Sequence, residues 1–326
     1  MAEGHIGNLG ALRYHDLIAL IRLAASHEGE RIAAVRRDLN GAPGFLSDRD
    51  RSLIAGMLRR LADDAIAAVA TALRMASEPV AIGLAERLGG VERASVHAAL
   101  SAAGVLHADM LIEAVLVRLG EARVEGDGRR FARDEYVVLR ARRSDEYGNP
   151  RVPIEELPRD AAESLIWSAA AAIRLALALD GETQPMDDVL ERAAARAIHA
   201  EAPYDGAVVI EMVRRVARVR DLDAAIHEGD VLAVAVLIAD AAQLPLAQVR
   251  RVLYGTDAVS LAVLGRHLSM PREGFAALAQ LVGAPPEALA AFDRTVTEEA
   301  SKVVREWTRS PAYRAALDRI GAARLC

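Results

Sequence analysis

Apolar residues recur at three- and four-residue intervals along almost the whole chain, and no stretch alternates strictly enough to predict a sheet. That period belongs to stacked helices. Residues 8–40 predict two helices, the first carrying Leu17, Ile18, Leu20 and Ile21, before Asn40, Gly41, Pro43 and Gly44 break the pattern. Ser47, with Asp50 three residues on, forms a shortened capping box. A helix starts there and keeps Leu53, Ile54, Met57, Leu58 and Leu61 on one face. Asp63 and Asp64 read as the opening of the next helix, through Ile66, Val69 and Leu73. After Ser77 and Pro79, helices at about 79–88, 92–103 and 108–119 complete a series of short antiparallel pairs. The expected fold is all-α, with a HEAT-like helical repeat array over residues 1–120.

The character changes over residues 121–153, where Gly126, Gly128, Gly148, Asn149, Pro150 and Pro153 frame a charged segment. It is expected to be a junction between domains. Residues 154–326 then predict a second all-helical domain. Two of its turns resemble each other: Pro245 is followed at +4 and +7 by Val249 and Val252, and Pro271 by Phe275 and Leu278. Pro285 and Pro286 start a longer helix with Leu289, Phe292, Val296, Ala300, Val303 and Trp307 on one stripe. The stripe spans less than three heptads, so packing onto its own domain is expected. A homodimer through Leu289, Phe292, Val296, Val303 and Trp307 is the alternative.

Composition narrows the chemistry. Hydrophobic residues make up 52% of the chain but aromatics only 4%, so Ala, Leu, Val and Ile must build the core and helices approach closely. The net charge of -6 opposes a general affinity for nucleic acid. Lys302 is the only lysine and has no Gly-rich loop before it, which excludes a phosphate-loop lysine. Cys326 is the sole cysteine, so disulfides and Cys-ligated metal centres within one chain are excluded. The most apolar window, 165–179, is shorter than the roughly 20 residues that span a bilayer. No secretory signal opens the chain, and a cytoplasmic location without membrane contact is expected.

Two strings carry a family resemblance: LPRDAAESLIWSAAAAIR at 157–174 and QVRRVLYGTDAVSLAVLGRHLSMPREGFAALAQL at 248–281. Both resemble strings of an uncharacterised bacterial family, domain-of-unknown-function family 2336. The stretch 53–84, with LRRLADD and Pro79, is similar to that family's helical-repeat half, so the resemblance covers most of residues 50–283. It implies an all-helical, HEAT-like fold and brings no catalytic residues.

Candidate chemistry is sparse. His199 and Glu201 share a spacing with zinc deaminases but lack the paired cysteines that complete such a site. His107, Asp109 and Glu113 are spaced so that one falls off any common helix face. No metal or cofactor is therefore expected. His15, before Asp16 and Leu17, opens an amphipathic helix in the manner of a phospho-accepting histidine. Arg129, Arg130, Arg133, Arg140, Arg142 and Arg143 cluster around Phe131 and Tyr136, and guanidinium forks suit an acidic partner. Arg214, Arg215, Arg218 and Arg220 form a second cluster, read as ordinary surface charge. The expected function is a non-catalytic, protein-binding scaffold or adaptor, its first arginine cluster serving as the docking patch. The alternative is histidine phosphotransfer through His15.

Overall fold

The computed structural model describes residues 11–41, 44–91, 93–126, 141–178, 185–200, 204, 206–217 and 221–309. Among them helix is the only regular structure; β-pairing is confined to isolated bridges between Leu12 and Thr295 and between Ser144 and Pro150. The chain is all-α. It divides into two units, one of Met1–Glu28, Gly128–Arg130 and Ala217–Cys326, the other of Gly29–Asp127 and Phe131–Val216.

This division differs from the expected domains 1–120 and 154–326. Helix α1 (Tyr14–Leu39) is a single helix where two were expected, and the division falls within it, between Glu28 and Gly29. Helix α2 (Asp48–Arg74) likewise runs unbroken through Asp63 and Asp64, because Ala62, Ala65 and Ile66 continue its buried stripe. Its start is as expected: the Ser47 side chain accepts from the Asp50 N–H at 3.1 Å. The buried Asp38 carboxylate secures the preceding turn, accepting from the backbone N–H groups of Phe45 and Leu46.

The second unit is built around α2. Against it pack α3 (Pro79–Gly90), α4 (Arg93–Ala102), α5 (Asp109–Gly126), α6 (Arg159–Ala178) and α7 (Pro185–Ala200). Small side chains make this possible: Ala62, Ala65, Ala162, Ala169, Ala193, Ala194 and Ala197 all lie in one continuous core. In a helical array each repeat touches only its neighbours. Here α2 meets helices from both sides of the charged segment within one continuous core. At the end of that segment Val152 is itself buried, as are Ile154 and Leu157 just after it. Helix α8 (Ala207–Ala217) follows.

The first unit continues through α9 (Leu222–Glu228), α10 (Val231–Ala242), α11 (Leu246–Tyr254), α12 (Ala258–His267), α13 (Arg272–Val282), α14 (Glu287–Arg294) and α15 (Thr297–Trp307). One turn design recurs. Gly229, Gln243, Ser269 and Gly283 all have positive φ, and the next N–H reaches back to the carbonyl of Ala225, Ala239, Gly265 or Ala279. Each is a Schellman stop, which satisfies orphan carbonyls and leads into the next helix within two to four residues. Pro245 and Pro271 then cap the helices that follow, and Val249, Val252, Phe275 and Leu278 are buried as their spacing predicts.

The longer helix expected after Pro286 is two helices. At Thr295 the side-chain hydroxyl donates to the Ala291 carbonyl at 2.7 Å, and the backbone bridges to Leu12. Phe292, Val303 and Trp307 are buried, α14 and α15 both packing on α12, while Val296 stands exposed at the break. The stripe is thus consumed mostly inside its own unit.

Candidate functional site

Within the second unit, residues 144–150 of the charged segment form a tight turn that side chains fasten to α2 and α5. The Ser144–Pro150 bridge is extended by the Arg151 N–H donating to the Arg143 carbonyl at 2.8 Å. Asp145 sits at its centre, accepting from the backbone N–H of Tyr147 and Asn149, the Asn149 amide, and Arg60 of α2. Burial works to raise the Asp145 carboxyl, but hydrogen bonds from Asn149 and Arg60 outweigh it and hold the group down at about 2.

Arg118 of α5 closes the turn from below. It is 2% exposed. Its guanidinium donates to the carbonyls of Arg143 and Arg151, the two ends of the turn, at 3.1 and 3.2 Å. The same group forks onto both oxygens of Glu125 at 3.1 Å. Beside it Arg143, also buried, lies between Glu121 at 2.5 Å and Glu156 at 3.0 Å. Two arginines and three carboxylates thus lock α5, the turn and the following 3₁₀ turn (Ile154–Glu156) together. Such a buried network is costly to desolvate and costlier to break, so it specifies this one arrangement.

The fastened turn forms one wall of a groove of about 480 Å³. Helix α2 contributes Asp64, Ala67, Ala68, Thr71 and Ala72, a stripe at helical spacing continued by its C-cap Met75, and α7 contributes Arg196, Ala197 and Ala200. The third wall is Arg142, Arg151, Pro153, Ile154 and Glu155. Alanines therefore make the floor and charged side chains the rim. Met75 ends the floor at 78% exposure. On the rim Arg151 pairs with Asp64, Arg142 with Glu155 at 3.0 Å, and Arg196 reaches Glu78 only at 3.9 Å. Burial pushes the Asp64 carboxyl up to about 6; Arg151 pulls against this, while Glu155 and Asp63 add to the rise.

Of the arginines expected to form a docking patch, the structure brings Arg142 to the groove's rim and buries Arg143 in the ion network. Arg129, Arg130, Arg133 and Arg140 lie outside the described residues. Arg151 and Arg196 were not among the expected residues, because their only signal is tertiary: each is one arginine among many until the fold places it beside α2. His15 is exposed in the first turn of α1, its ring edge-on to Tyr14 at 5.4 Å. Arg215 of the second cluster pairs with Glu211 one turn away at 3.0 Å, as surface charge does. Among the described residues no three metal-ligating side chains gather, and no helix is long and apolar enough to cross a membrane.

Comparison with known proteins adds one result. No curated protein and no solved structure matches the chain. A family model matches residues 121–316, which takes in the two strings at 157–174 and 248–281 and leaves 53–84 outside. The match also includes the charged segment, whose described residues Glu121, Arg143 and Val152 are buried. With most of its length matched, the chain belongs to the bacterial family described as uncharacterised proteins conserved in bacteria, domain-of-unknown-function family 2336.

Proposed function

We propose that the protein is a non-catalytic binding module, an adaptor or scaffold that takes an acidic, amphipathic helical segment of a protein partner into the groove between α2 and α7. The observation that carries this reading is the groove's make-up: an alanine floor wide open at Met75, edged by three guanidinium groups against two carboxylates. A floor without bulky side chains lets a helix lie close, and an exposed methionine adapts to varied apolar faces. Rim arginines supply charge-assisted hydrogen bonds to partner carboxylates. Near pH 6 half of the Asp64 charge is gone, which leaves Arg151 freer to engage a partner. Phosphotransfer through His15 is supported only by that residue's exposure, and binding is the reading advanced.

The test is a fluorescence-anisotropy screen of acidic amphipathic helical peptides. Binding should weaken with added salt and be lost in Ala68→Trp, which fills the floor. Peptides that bind Ala68→Trp as well as wild type, or no binding in the screen, would overturn the reading.

A further inference from the structure

A second depression, of about 690 Å³, lies elsewhere on the same unit, between α2, α4 and the 3₁₀ turn Val105–His107. Two stripes face it, each at i, i+4, i+8: Ala55, Arg59 and Asp63 on α2, and Arg93, His97 and Ser101 on α4. That spacing keeps successive side chains on one helix face. The stripe on α4 is composed entirely of hydrogen-bond donors. Asp63 is the single acid among the lining residues, and it is already engaged, accepting from His97 Nε2 at 3.0 Å. That bond fixes the imidazole and leaves its other nitrogen for a ligand. Arg59 and Arg93 are exposed, and neither meets a carboxylate among the described residues. Several other arginines of the described surface are paired with carboxylates, among them Arg51, Arg123, Arg159, Arg174 and Arg272. In a chain of net charge -6, two unneutralised guanidinium groups beside an oriented histidine and a hydroxyl are a concentration of hydrogen-bonding groups for one anion. Leu58, Leu106 and three alanines supply an apolar lining.

We infer that this depression binds the phosphate group of a small phosphomonoester: Arg59 and Arg93 grip the phosphoryl oxygens, Ser101 donates to them, and His97, its Nε2 proton held by Asp63, accepts the P–OH of the monoanion at Nδ1. The site shares no lining residue with the α2–α7 groove, so it stands or falls separately from the function proposed there.

Histidine-labelled protein titrated with phenyl phosphate, inorganic phosphate and acetate, and followed by NMR, decides the matter. The His97 resonances should shift saturably with a phosphate probe, while His267, in the other unit, stays still. Acetate should bind about tenfold more weakly, since it cannot fill two arginine forks. Phenyl phosphate tighter than inorganic phosphate would support the site with an organic portion resting on Leu58 and Leu106; equal affinities would support recognition of the phosphate alone. Arg59→Gln with Arg93→Gln, both on exposed side chains, should weaken binding about tenfold or more. Ser101→Asp, a second exposed position, should abolish it by placing a like charge in the depression. No saturable shift below about 50 mM phosphate, or unchanged binding in both variants, would overturn the inference.

Discussion

Gly265 shows how single atoms shape this molecule. A side-chain carbon there would lie 2.5 Å from the ring of Phe275, which stacks on Phe292 with centroids 4.2 Å apart. Both rings are fully buried, and Arg266 closes over the Phe292 face at 3.9 Å while its Nε donates to the Phe292 carbonyl at 2.8 Å. In a chain with so few aromatics, these two rings are stacked together in the core. Glycine in a helix costs about 1 kcal/mol relative to alanine. Its retention is repaid by ring packing. Gly265→Ala is expected to destabilise the protein by about 1 to 3 kcal/mol, although the substitution favours helix, and denaturant midpoints would show it. A more stable variant would mean that the rings shift without loss. The burial of Phe275 was legible from its spacing after Pro271; the role of Gly265 was not, because nothing in the local sequence says which ring faces it.

At the level of elements, recurring turns and one fastened loop do most of the positioning. The Schellman stops after α9, α10, α12 and α13 are local devices, and Gly229 and Gly283 announce two of them. Gln243 and Ser269 adopt the same left-handed conformation without being glycine, so periodicity and the following prolines were the only signs there. The loop held by Arg118 is different. Its anchors on α2, Arg60 and Asp64, are far away in sequence, and charge without periodicity reads as a linker. Arg118→Ala would take from Glu125 and the Arg151 carbonyl the donor that Arg118 supplies, and would leave the Arg143 carbonyl with the Arg151 N–H alone. A loss of about 3 to 5 kcal/mol is expected, seen as a lowered Tm together with faster amide exchange at Arg151, whose N–H bonds the Arg143 carbonyl. Unchanged exchange there would show that the turn holds without its clasp.

Across the whole molecule, the carboxyl groups give stability a pH dependence with two opposing parts. Asp145 is held at about 2, so the stability it contributes above the ordinary aspartate range is lost as pH falls from about 4 towards 2. Asp64 works the other way. With its folded-state value near 6, the folded protein keeps a proton that the unfolded chain has already released, and stability falls as pH rises from about 4 to 6. Asp64→Asn removes that penalty. The stability of the variant relative to wild type should rise by on the order of 2 to 3 kcal/mol between pH 4 and 7, measured by urea denaturation. A difference that does not change with pH would show that Arg151 already compensates the charge in full.

Helical class, the small-residue core, the Ser47 cap, the paired turns at Pro245 and Pro271, and the family strings were all legible in the order of residues. These features depend on contacts within a few residues, or on the period with which apolar side chains return to one face. The unit boundaries, the grip of Arg118 on a segment resembling a linker, the split of the last stripe at Thr295, and both depressions were decided only by the tertiary structure. Asp63 and Asp64 make the contrast plain. In the sequence they read as the start of a helix, whereas in the fold they lie within one, and their partners His97 and Arg151 come from distant segments. A charged side chain gains its meaning from the partner that burial forces on it, and that choice is made when helices pack.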